Sequence, residues 1–321
     1  MIIVTGAAGF IGSSIVSHLN QQGNGDIIAV DILRSNDKWK NLRHLSFIDY
    51  LDREQLWSFL DQNESAVDAV IHMGACSATT ETDAYYLMEN NYRYTLRLAR
   101  WALAHGKRFI YASSAATYGL GEHGYDDDLD SIHLLRPLNM YGYSKQVFDL
   151  KARREGWFDK IVGLKFFNVF GPNEYFKGDM ASVVFKAFNQ IRETGKVRLF
   201  KSHRPDYKDG MQLRDFIYSK DVTPLIYYLL MNEQVNGLFN VGTGKARSFK
   251  DLTVATFRAM NREPNIEYIP MPEELRERYQ YFTAAKIDRL HAAGYKNPFY
   301  SLEEAITDYV QNYLMKDFKP Y

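Results

Sequence analysis

Short apolar runs alternate with longer amphipathic stretches along the first half of the chain. The runs predict buried strands at residues 2–4, 27–30, 45–48, 69–72, 108–112 and 161–166. The stretches between them predict helices, of which the clearest lie at 10–22 and 83–104, with another after residue 144. Strands that are separated by helices indicate a parallel sheet covered on both faces. The predicted fold class is therefore α/β, with a doubly wound parallel sheet.

The pattern becomes less regular beyond the Gly-Pro pair at residues 171–172. A polar, basic loop is predicted at 199–212, followed by an apolar helix face at 225–231 and a strand at 238–241. Further helices are predicted at residues 181–192, 248–260 and 302–313. Because 321 residues exceed what one compact core usually needs, we predict two domains. The first covers residues 1–171, with some later segments returning to it, and a smaller α/β domain mainly covers 172–321.

Composition and charge exclude several classes of protein. Hydrophobic residues make up 46% and charged residues 24% of the chain, and 39 basic residues balance 39 acidic ones. We therefore expect no nucleic-acid or membrane partner. No apolar run approaches the roughly 18 residues of a membrane span, and the amino terminus lacks a basic signal region. With the lone Cys76, this favours a cytoplasmic protein, and no side-chain spacing predicts a metal site.

Three glycines follow the first predicted strand at regular spacing. Gly6 allows a sharp turn, Gly9 lets backbone approach a pyrophosphate, and Gly12 lets the next helix pack closely. The N-terminus of that helix offers free N–H groups to phosphate. The spacing Gly-x-x-Gly-x-x-Gly is typical of short-chain dehydrogenase/reductase enzymes. It predicts a Rossmann-type domain that binds a nicotinamide dinucleotide.

The residues near the second predicted strand leave the choice of dinucleotide open. Asp31 ends that strand, where an acid accepts hydrogen bonds from a ribose hydroxyl, and this alone favours NAD. Arg34, Lys38, Lys40 and Arg53 follow, and such cations can neutralise the 2′-phosphate of NADP. They can equally be solvated loop charges.

Candidate catalytic residues lie at the end of the fifth strand and in the helix that follows. Tyr141 and Lys145 form a Tyr-x-x-x-Lys pair, so both side chains share one helix face. The lysine can lower the tyrosine pKa and hold the nicotinamide ribose, while the tyrosine exchanges a proton with a substrate hydroxyl. Ser114 follows the strand and can hydrogen-bond the reacting oxygen. Tyr143 has no lysine four residues later.

These features, with the stretches 167–172 and 214–218, resemble the extended short-chain dehydrogenase/reductase family, whose members act mainly on nucleotide sugars. The resemblance spans nearly the whole chain. Within the family it is to the members that epimerise an ADP-activated heptose at C6 for lipopolysaccharide core biosynthesis. The stretches that carry this closer resemblance are 74–81, 111–119, 137–145, 177–183, 266–270 and 278–280.

The resemblance implies an isomerase that removes hydride from C6 and returns it to the other face, using tightly bound NADP, with NAD possible. It implies that Tyr141 and Lys177 transfer protons, that Ser114 assists, and that Lys145 tunes the cofactor end. The implied cofactor contacts are Gly6, Gly9, Phe10, Ile11, Gly12, Asp31, Lys38, Arg53, Ala75, Asn90, Lys145, Val169 and Lys177. The implied substrate contacts are Ser114, Asn168, Arg214 and Tyr279, and a homo-oligomer is expected.

The chain departs from the family pattern at three places. Met73 stands where an acidic residue is expected, Lys165 replaces an arginine, and the loop 201–213 is longer. These departures leave the base specificity and the choice between NADP and NAD open. In that loop, His203, Arg204 and Lys208 either add positive charge near the nucleotide or form a basic surface.

Three alternative functions compete with that of a heptose epimerase. A UDP-hexose 4-epimerase uses the same serine, tyrosine and lysine, so only the stretch around Lys177 weighs against it. A 4,6-dehydratase is disfavoured because Ala115 and Ala116 stand where a carboxylate pair is expected. A non-catalytic dinucleotide-binding scaffold is disfavoured because Tyr141 and Lys145 are both present.

Overall fold

The computed structural model describes residues 1–276 and 279–321, so Arg278 of the stretch 278–280 lies outside the described residues. The strands are β1 (Ile2–Thr5), β2 (Ile27–Asp31), β3 (Asp49–Asp52), β4 (Ala69–His72), β5 (Arg108–Ser114), β6 (Ile161–Phe166), β7 (Asn168–Phe170), β8 (Val197–Phe200), β9 (Leu213–Tyr218), β10 (Gly237–Val241), β11 (Ala246–Ser248) and β12 (Ile266–Ile269).

The α-helices of the described residues are α1 (Phe10–Gln21), α2 (Leu56–Asn63), α3 (Ala84–Leu87), α4 (Tyr94–Ala104), α5 (Met140–Arg154), α6 (Val183–Thr194), α7 (Ser219–Met231), α8 (Phe249–Ala259), α9 (Glu273–Arg276), α10 (Asp288–Ala292) and α11 (Leu302–Asn312). None of them is both long and apolar enough to cross a membrane.

Seven parallel strands form the central sheet in the order β10-β6-β5-β4-β1-β2-β3. Successive side chains of a strand point to opposite faces, so both faces of β1 are buried. Ile2 and Val4 pack on the side of α1 and α7, while Ile3 packs on the side of α4 and α5. The predicted doubly wound α/β fold is thereby confirmed.

The chain reverses its direction of travel across the sheet beside β1, because β2 and β3 lie on one side and β4 to β6 on the other. Ligands bind at such a switch point, outside the carboxyl ends of the strands. Gly6 follows β1 there with φ +68°, and a Cβ on it would lie 2.7 Å from the Gly74 nitrogen. The two strand ends therefore meet without room for side chains.

A smaller set of elements stands beyond the central sheet. Strands β11, β9 and β7 form one sheet, and β12 pairs with β8 in another. Helices α6, α8 and α11 cover them with a separate apolar core that includes Val184, Leu252 and Ile306. β10 belongs to the central sheet although it comes late in the chain.

Three sequence predictions of secondary structure were wrong. The helix predicted after residue 144 already begins at Met140, because the Asn139 side chain caps it there. The third strand lies at Asp49–Asp52 and not at residues 45–48, because this edge strand buries only Leu51 while Ile48 is 61% exposed. The loop predicted from residue 199 begins later, because Val197–Phe200 pairs with β12. Val197 and Leu199 are buried while Arg198 is exposed, and this alternation is that of a half-buried strand.

The helix predicted at 83–104 is interrupted by a π-helical stretch at Met88–Arg93. Such stretches insert an extra residue into a helical turn and are frequent at functional sites. This one places the fully buried Asn91 against the segment that follows β4.

Candidate active site

The glycine loop after β1 and the start of α1 form one wall of a cleft at the switch point. A Cβ on Gly12 would lie 2.0 Å from the carbonyl oxygen of Gly6, so the helix packs directly on the loop. Gly9 is the N-cap of α1 and supplies no side-chain hydrogen bond. The first-turn N–H groups therefore face the cleft without a capping side chain, which suits an anionic ligand.

Three adjoining cavities make up the cleft. The outer cavity, of about 240 Å³, is lined by Asp31, Arg34, Lys38, Arg53, Ala75 and Asn90, among others. The glycine-loop cavity, of about 410 Å³, is lined by Gly6, Gly9, Phe10, Ile11, Gly12 and Lys177, among others. The central cavity, of about 400 Å³, is lined by Ser114, Tyr141, Lys145, Asn168, Val169 and Lys177, among others.

Asp31 lies where the outer cavity meets the glycine loop. Its carboxylate accepts hydrogen bonds from the Ala8 N–H at 2.8 Å and from the Lys38 ammonium at 2.6 Å. One of its oxygens is thus paired with a cation. Lys40 instead pairs with Asp37 at 2.9 Å. Three of the four basic residues that follow the second strand line the outer cavity, namely Arg34, Lys38 and Arg53.

Arg53 and Asn90 meet on the far side of the outer cavity. The Arg53 guanidinium donates to the Asn90 side-chain oxygen, and its Nη2 lies 2.7 Å from a Glu54 carboxylate oxygen. The guanidinium also lies 5.6 Å from the centre of the Tyr94 ring. These contacts hold Arg53 at the cavity wall, although it comes from the segment after β3.

The central cavity brings together Ser114, Tyr141, Lys145 and Lys177, which come from separate parts of the chain. Ser114 ends β5, and its hydroxyl accepts from the Ala116 N–H at 3.1 Å. Asn139 caps α5 with its side chain, which fixes the first turn that carries Tyr141. The helix then places Lys145 one turn further along.

Burial dominates the protonation of the Tyr141 and Lys145 pair. It raises the pKa of the Tyr141 phenol, with the Ser114 hydroxyl acting in the opposite direction. Lys145 does not contribute the lowering that the sequence predicts, and its ammonium donates to the Ala112 carbonyl oxygen at 2.8 Å. Burial lowers the pKa of Lys145 itself to about 8, while Asp149 and Cys76 oppose that shift.

Lys177 belongs to the walls of both the central and glycine-loop cavities. Its ammonium lies 5.3 Å from the centre of the Phe10 ring. Burial lowers its pKa, and the Glu174 carboxylate opposes this. Glu174 anchors the loop by accepting from the Gly171 N–H at 3.2 Å and the Ser182 hydroxyl at 2.7 Å. The loop thus presents to the cavity a lysine whose pKa is lowered by burial.

The sequence of this α/β chain matches the NAD dependent epimerase/dehydratase family over residues 2–242, which include the glycine loop, Ser114, Tyr141 and Lys145. The chain belongs to this family. The nicotinamide dinucleotide inferred from the glycine spacing is therefore confirmed at the level of the family.

Close relatives of this family member match along almost their full length. It is 56% identical over 316 residues to the ADP-L-glycero-D-manno-heptose-6-epimerase of Nitratidesulfovibrio vulgaris strain DP4, covering 98% of each chain. It is 52% identical over 328 residues to the protein of that name from Fusobacterium nucleatum, covering 99% of each. The crystal structure of the Helicobacter pylori ADP-L-glycero-D-manno-heptose-6-epimerase superposes with a TM-score of 0.82 at 29% identity, covering 97% of this chain and 95% of that one.

A fourth cavity of this epimerase/dehydratase family member, the distal cavity, lies beyond the central one. It has a volume of about 690 Å³ and its walls include Lys186, Phe200, Phe249 and Tyr279. Val183 lines both the distal and the central cavity, so the two adjoin at the start of α6. The aromatic side chains of its walls are Phe200 of β8, Phe249 of α8 and Tyr279 of the segment that follows α9.

Arg214 stands behind the aromatic wall of the distal cavity. Its side chain is 8% exposed, and its guanidinium lies 5.3 Å from the Tyr279 ring centre and 5.6 Å from that of Phe249. It donates to the Leu213 carbonyl oxygen at 2.8 Å, and within residues 1–276 and 279–321 no carboxylate pairs with it. The buried Arg108, by contrast, donates to several carbonyl oxygens in the last turn of α7 and in the segment after it. Arg214 therefore retains donors for an anion.

The basic residues of the 201–213 loop are differently placed. Arg204 pairs with Asp206 at 2.6 Å, so its charge is largely neutralised locally. The Nδ1 of His203 lies 2.8 Å from the Tyr281 hydroxyl, which ties the loop to the segment after Tyr279. Lys208 is exposed. For Arg204 the interpretation as a surface loop charge fits the structure.

Sequence reasoning missed Asn91. Its side-chain oxygen accepts from the Cys76 N–H at 2.8 Å, and its nitrogen donates to the Cys76 carbonyl at 3.0 Å and to the Ser144 hydroxyl at 3.0 Å. It therefore ties the segment after β4 to the helix turn between Tyr141 and Lys145. A buried asparagine in a long predicted helix is the only signal the sequence offers for it.

Proposed function

We propose that this protein interconverts ADP-D-glycero-D-manno-heptose and ADP-L-glycero-D-manno-heptose by transient oxidation at C6, for lipopolysaccharide core biosynthesis. The observation that carries the proposal is that Tyr141 and Lys177, two groups able to transfer protons, line one cavity together with Ser114. Epimerisation through a ketone needs a proton-transfer group for each configuration of the carbinol. The names of relatives at 56% and 52% identity supply the substrate.

Different residues of the central cavity transfer the proton of the C6 hydroxyl in the two orientations of the sugar. In one orientation of the sugar Tyr141 exchanges the hydroxyl proton, and in the other Lys177 does so. Burial lowers the pKa of Lys177, which favours its role as the acceptor of the hydroxyl proton, and it raises the pKa of the Tyr141 phenol, which favours its role as the donor. Ser114 hydrogen-bonds the same oxygen in both orientations. One turnover therefore moves a proton onto one group and off the other.

The glycine loop and the outer cavity fit a dinucleotide. The close packing of Gly12 on Gly6 and the uncapped start of α1 leave backbone N–H groups for a pyrophosphate. When bound, the dinucleotide supplies the acceptor that takes hydride from C6 and returns it. We assign NADP in preference to NAD, because Lys38 already pairs with Asp31, while Arg34 and Arg53 line the same cavity. Lys145 lines the central cavity, and we assign it to the cofactor.

The nucleotide of the substrate is assigned to the second half of the chain. Arg214 is buried with donors to spare, which suits the diphosphate, and Tyr279 forms part of the aromatic wall beside the distal cavity. Asn168 lines the central cavity, where the heptose would lie. Residues 1–171 together with β10 would then hold the cofactor, while residues 172–321 mainly hold the substrate.

The experiment that tests this function uses the protein as purified, with no cofactor added. ADP-D-glycero-D-manno-heptose is supplied, and the configuration at C6 is followed by NMR, with UDP-glucose tested in parallel. We expect a mixture of C6 epimers from ADP-heptose and no product from UDP-glucose. Conversion of UDP-glucose to UDP-galactose without turnover of ADP-heptose would replace the proposal by a 4-epimerase. No turnover of either sugar, with dinucleotide present in the protein, would favour a scaffold.

A further inference from the structure

A buried ion pair lies directly beneath the central cavity. The Lys165 ammonium of β6 is 2.9 Å from the Asp149 carboxylate of α5, and both side chains are fully buried. Burying two charges costs more than packing two apolar side chains of similar size, so such a pair is weak evidence for a role in stability. Its position suggests another role.

Asp149 joins the two elements that carry the catalytic side chains. Its carboxylate accepts from the Tyr111 hydroxyl at 2.7 Å and from the Ser113 hydroxyl at 2.7 Å, both on β5. Ser113 immediately precedes Ser114. On α5, Asp149 lies one turn beyond Lys145, on the same helix face. One carboxylate therefore fixes the strand end with Ser114 against the helix with Tyr141 and Lys145.

Lys165 completes this arrangement from the third element. Its ammonium also donates to the Thr117 hydroxyl at 2.6 Å and lies 5.0 Å from the Tyr118 ring centre. Both residues belong to the turn that follows Ser114. The segment 111–118 is thus held at both ends, by Asp149 before Ser114 and by Lys165 after it.

We propose that Asp149 is a positioning residue of this active site, which acts through Ser113 and through the charge it places beside Lys145, and that Lys165 balances that charge. The proposal rests on the proposed function only for the roles of Tyr141 and Lys145. The described groups that face Lys145 are Asp149 and Tyr141 on α5, His72 at the end of β4, and Cys76 after it.

Among the groups around Lys145, Asp149 is the anion expected to control the pKa of its ammonium. His72 stays neutral, because burial lowers its pKa to about 3 and Thr5 and Thr95 bond its two ring nitrogens. Asp149 raises the pKa of Lys145 against the larger effect of burial. Removing the carboxylate should therefore let Lys145 lose its proton at a lower pH.

Three variants of the holoenzyme test this role. Lys165→Arg keeps the cation. Asp149→Asn with Lys165→Met removes both charges, so neither remains buried without a partner. Asp149→Asn alone keeps an oxygen that can accept from Tyr111 and Ser113. The titration of Lys145 is read from the chemical shift of its Cε carbon in protein with isotope-labelled lysine, and Lys145→Arg identifies the signal.

The expected midpoint of the Lys145 titration is unchanged in Lys165→Arg and falls by about half a pH unit or more in the variants that lack Asp149. The alkaline limb of kcat should move by the same amount. An unchanged midpoint in the variants that lack Asp149 would overturn the proposal, even if their activity or stability falls. Because the midpoint is measured without turnover, a wild-type protein that epimerises no sugar would count against the proposed function alone.

Discussion

The Lys38 ammonium lies 2.6 Å from the Asp31 carboxylate, at the point where the second strand of the sheet meets the cofactor cleft. An acid in this place ordinarily accepts hydrogen bonds from the ribose of NAD. Here its charge is offset by a lysine that also lines the cleft. The acid that would select NAD therefore lies in a cavity to which Arg34, Lys38 and Arg53 add positive charge.

Replacing Lys38 by methionine should shift cofactor preference from NADP towards NAD. A hydrogen bond to a charged group contributes about 1.5–3 kcal/mol, so the affinity ratio should change about tenfold or more. The dinucleotide that co-purifies is identified by mass spectrometry, and both affinities are measured by calorimetry. Lys40→Met is the matched control, because Lys40 pairs with Asp37 and should leave the ratio unchanged. Equal ratios in all three proteins would contradict the assignment.

Tyr141→Phe should lower kcat for epimerisation about 10²–10⁴-fold, because the phenol proton is lost while the ring is retained. Tyr143→Phe is the control. Tyr143 lies two residues later in the same helix, its side chain is 49% exposed, and the variant should behave as wild type. Thermal unfolding and cofactor content should be alike in both variants. If Tyr141→Phe retained near-normal turnover, the phenol would have no part in proton transfer.

Lys177→Met should likewise abolish most turnover, since one of the two configurations at C6 would have no proton-transfer group. The initial rate is measured from each epimer separately. Lys160→Met controls for the loss of a positive charge, because Lys160 is exposed and lies before β6, outside the loop that carries Lys177. Normal rates from both epimers in Lys177→Met would refute the assignment of two proton-transfer groups, while the folding of the variant can be checked by its unfolding curve.

Asp221 should make the protein less stable as pH rises. Burial raises the pKa of this carboxyl from 3.8 to about 7, so the folded state keeps a proton that the unfolded chain releases. Stability is therefore lost between about pH 4 and pH 7. Asp221→Asn should raise the free energy of unfolding at pH 8 by at most about 4 kcal/mol, and by almost nothing near pH 4. Urea unfolding at the two pH values measures the difference.

For Asp308 we expect the opposite dependence of stability on pH. Its pKa is lowered although burial acts the other way, because Lys220, at 2.6 Å, and Tyr218 donate to its carboxylate. The stability it contributes is present above its usual pKa and is lost as pH falls. Asp308→Asn should therefore destabilise the protein at pH 8. If Asp221→Asn also destabilised the protein at pH 8, the expected effect of burial on Asp221 would be contradicted.

The sequence predicted those parts of the site that depend on neighbours along the chain. Gly6 and Gly12 follow a strand at fixed spacing, and Tyr141 and Lys145 share a helix face, so their local geometry is set by chain position. Ser114 could be assigned because the carboxyl ends of parallel strands meet at one edge of the sheet.

The rest depends on packing between distant segments. Asp149 is one of several charged residues in its helix, and Lys165 lies in a predicted buried strand with no sign of its partner, so only the fold shows that the two are buried against each other. The pairing of β8 with β12 joins segments about 70 residues apart, and local patterning does not encode it. Arg204 is a different case, because the Asp206 that neutralises it lies only two residues away and the sequence-based prediction did not pair them.

The π-helical stretch at Met88–Arg93 lets one helix meet two incompatible requirements. Residues Leu98, Ala99 and Ala102 must face the sheet, while Asn91 must point towards Cys76 and Ser144. One residue advances an α-helix by about 100°, so deleting a residue from the stretch would rotate one group out of place relative to the other. The extra residue therefore changes the rotational register of the helix. A homologue without it would lose either the hydrogen bonds of Asn91 or the burial of Leu98, Ala99 and Ala102.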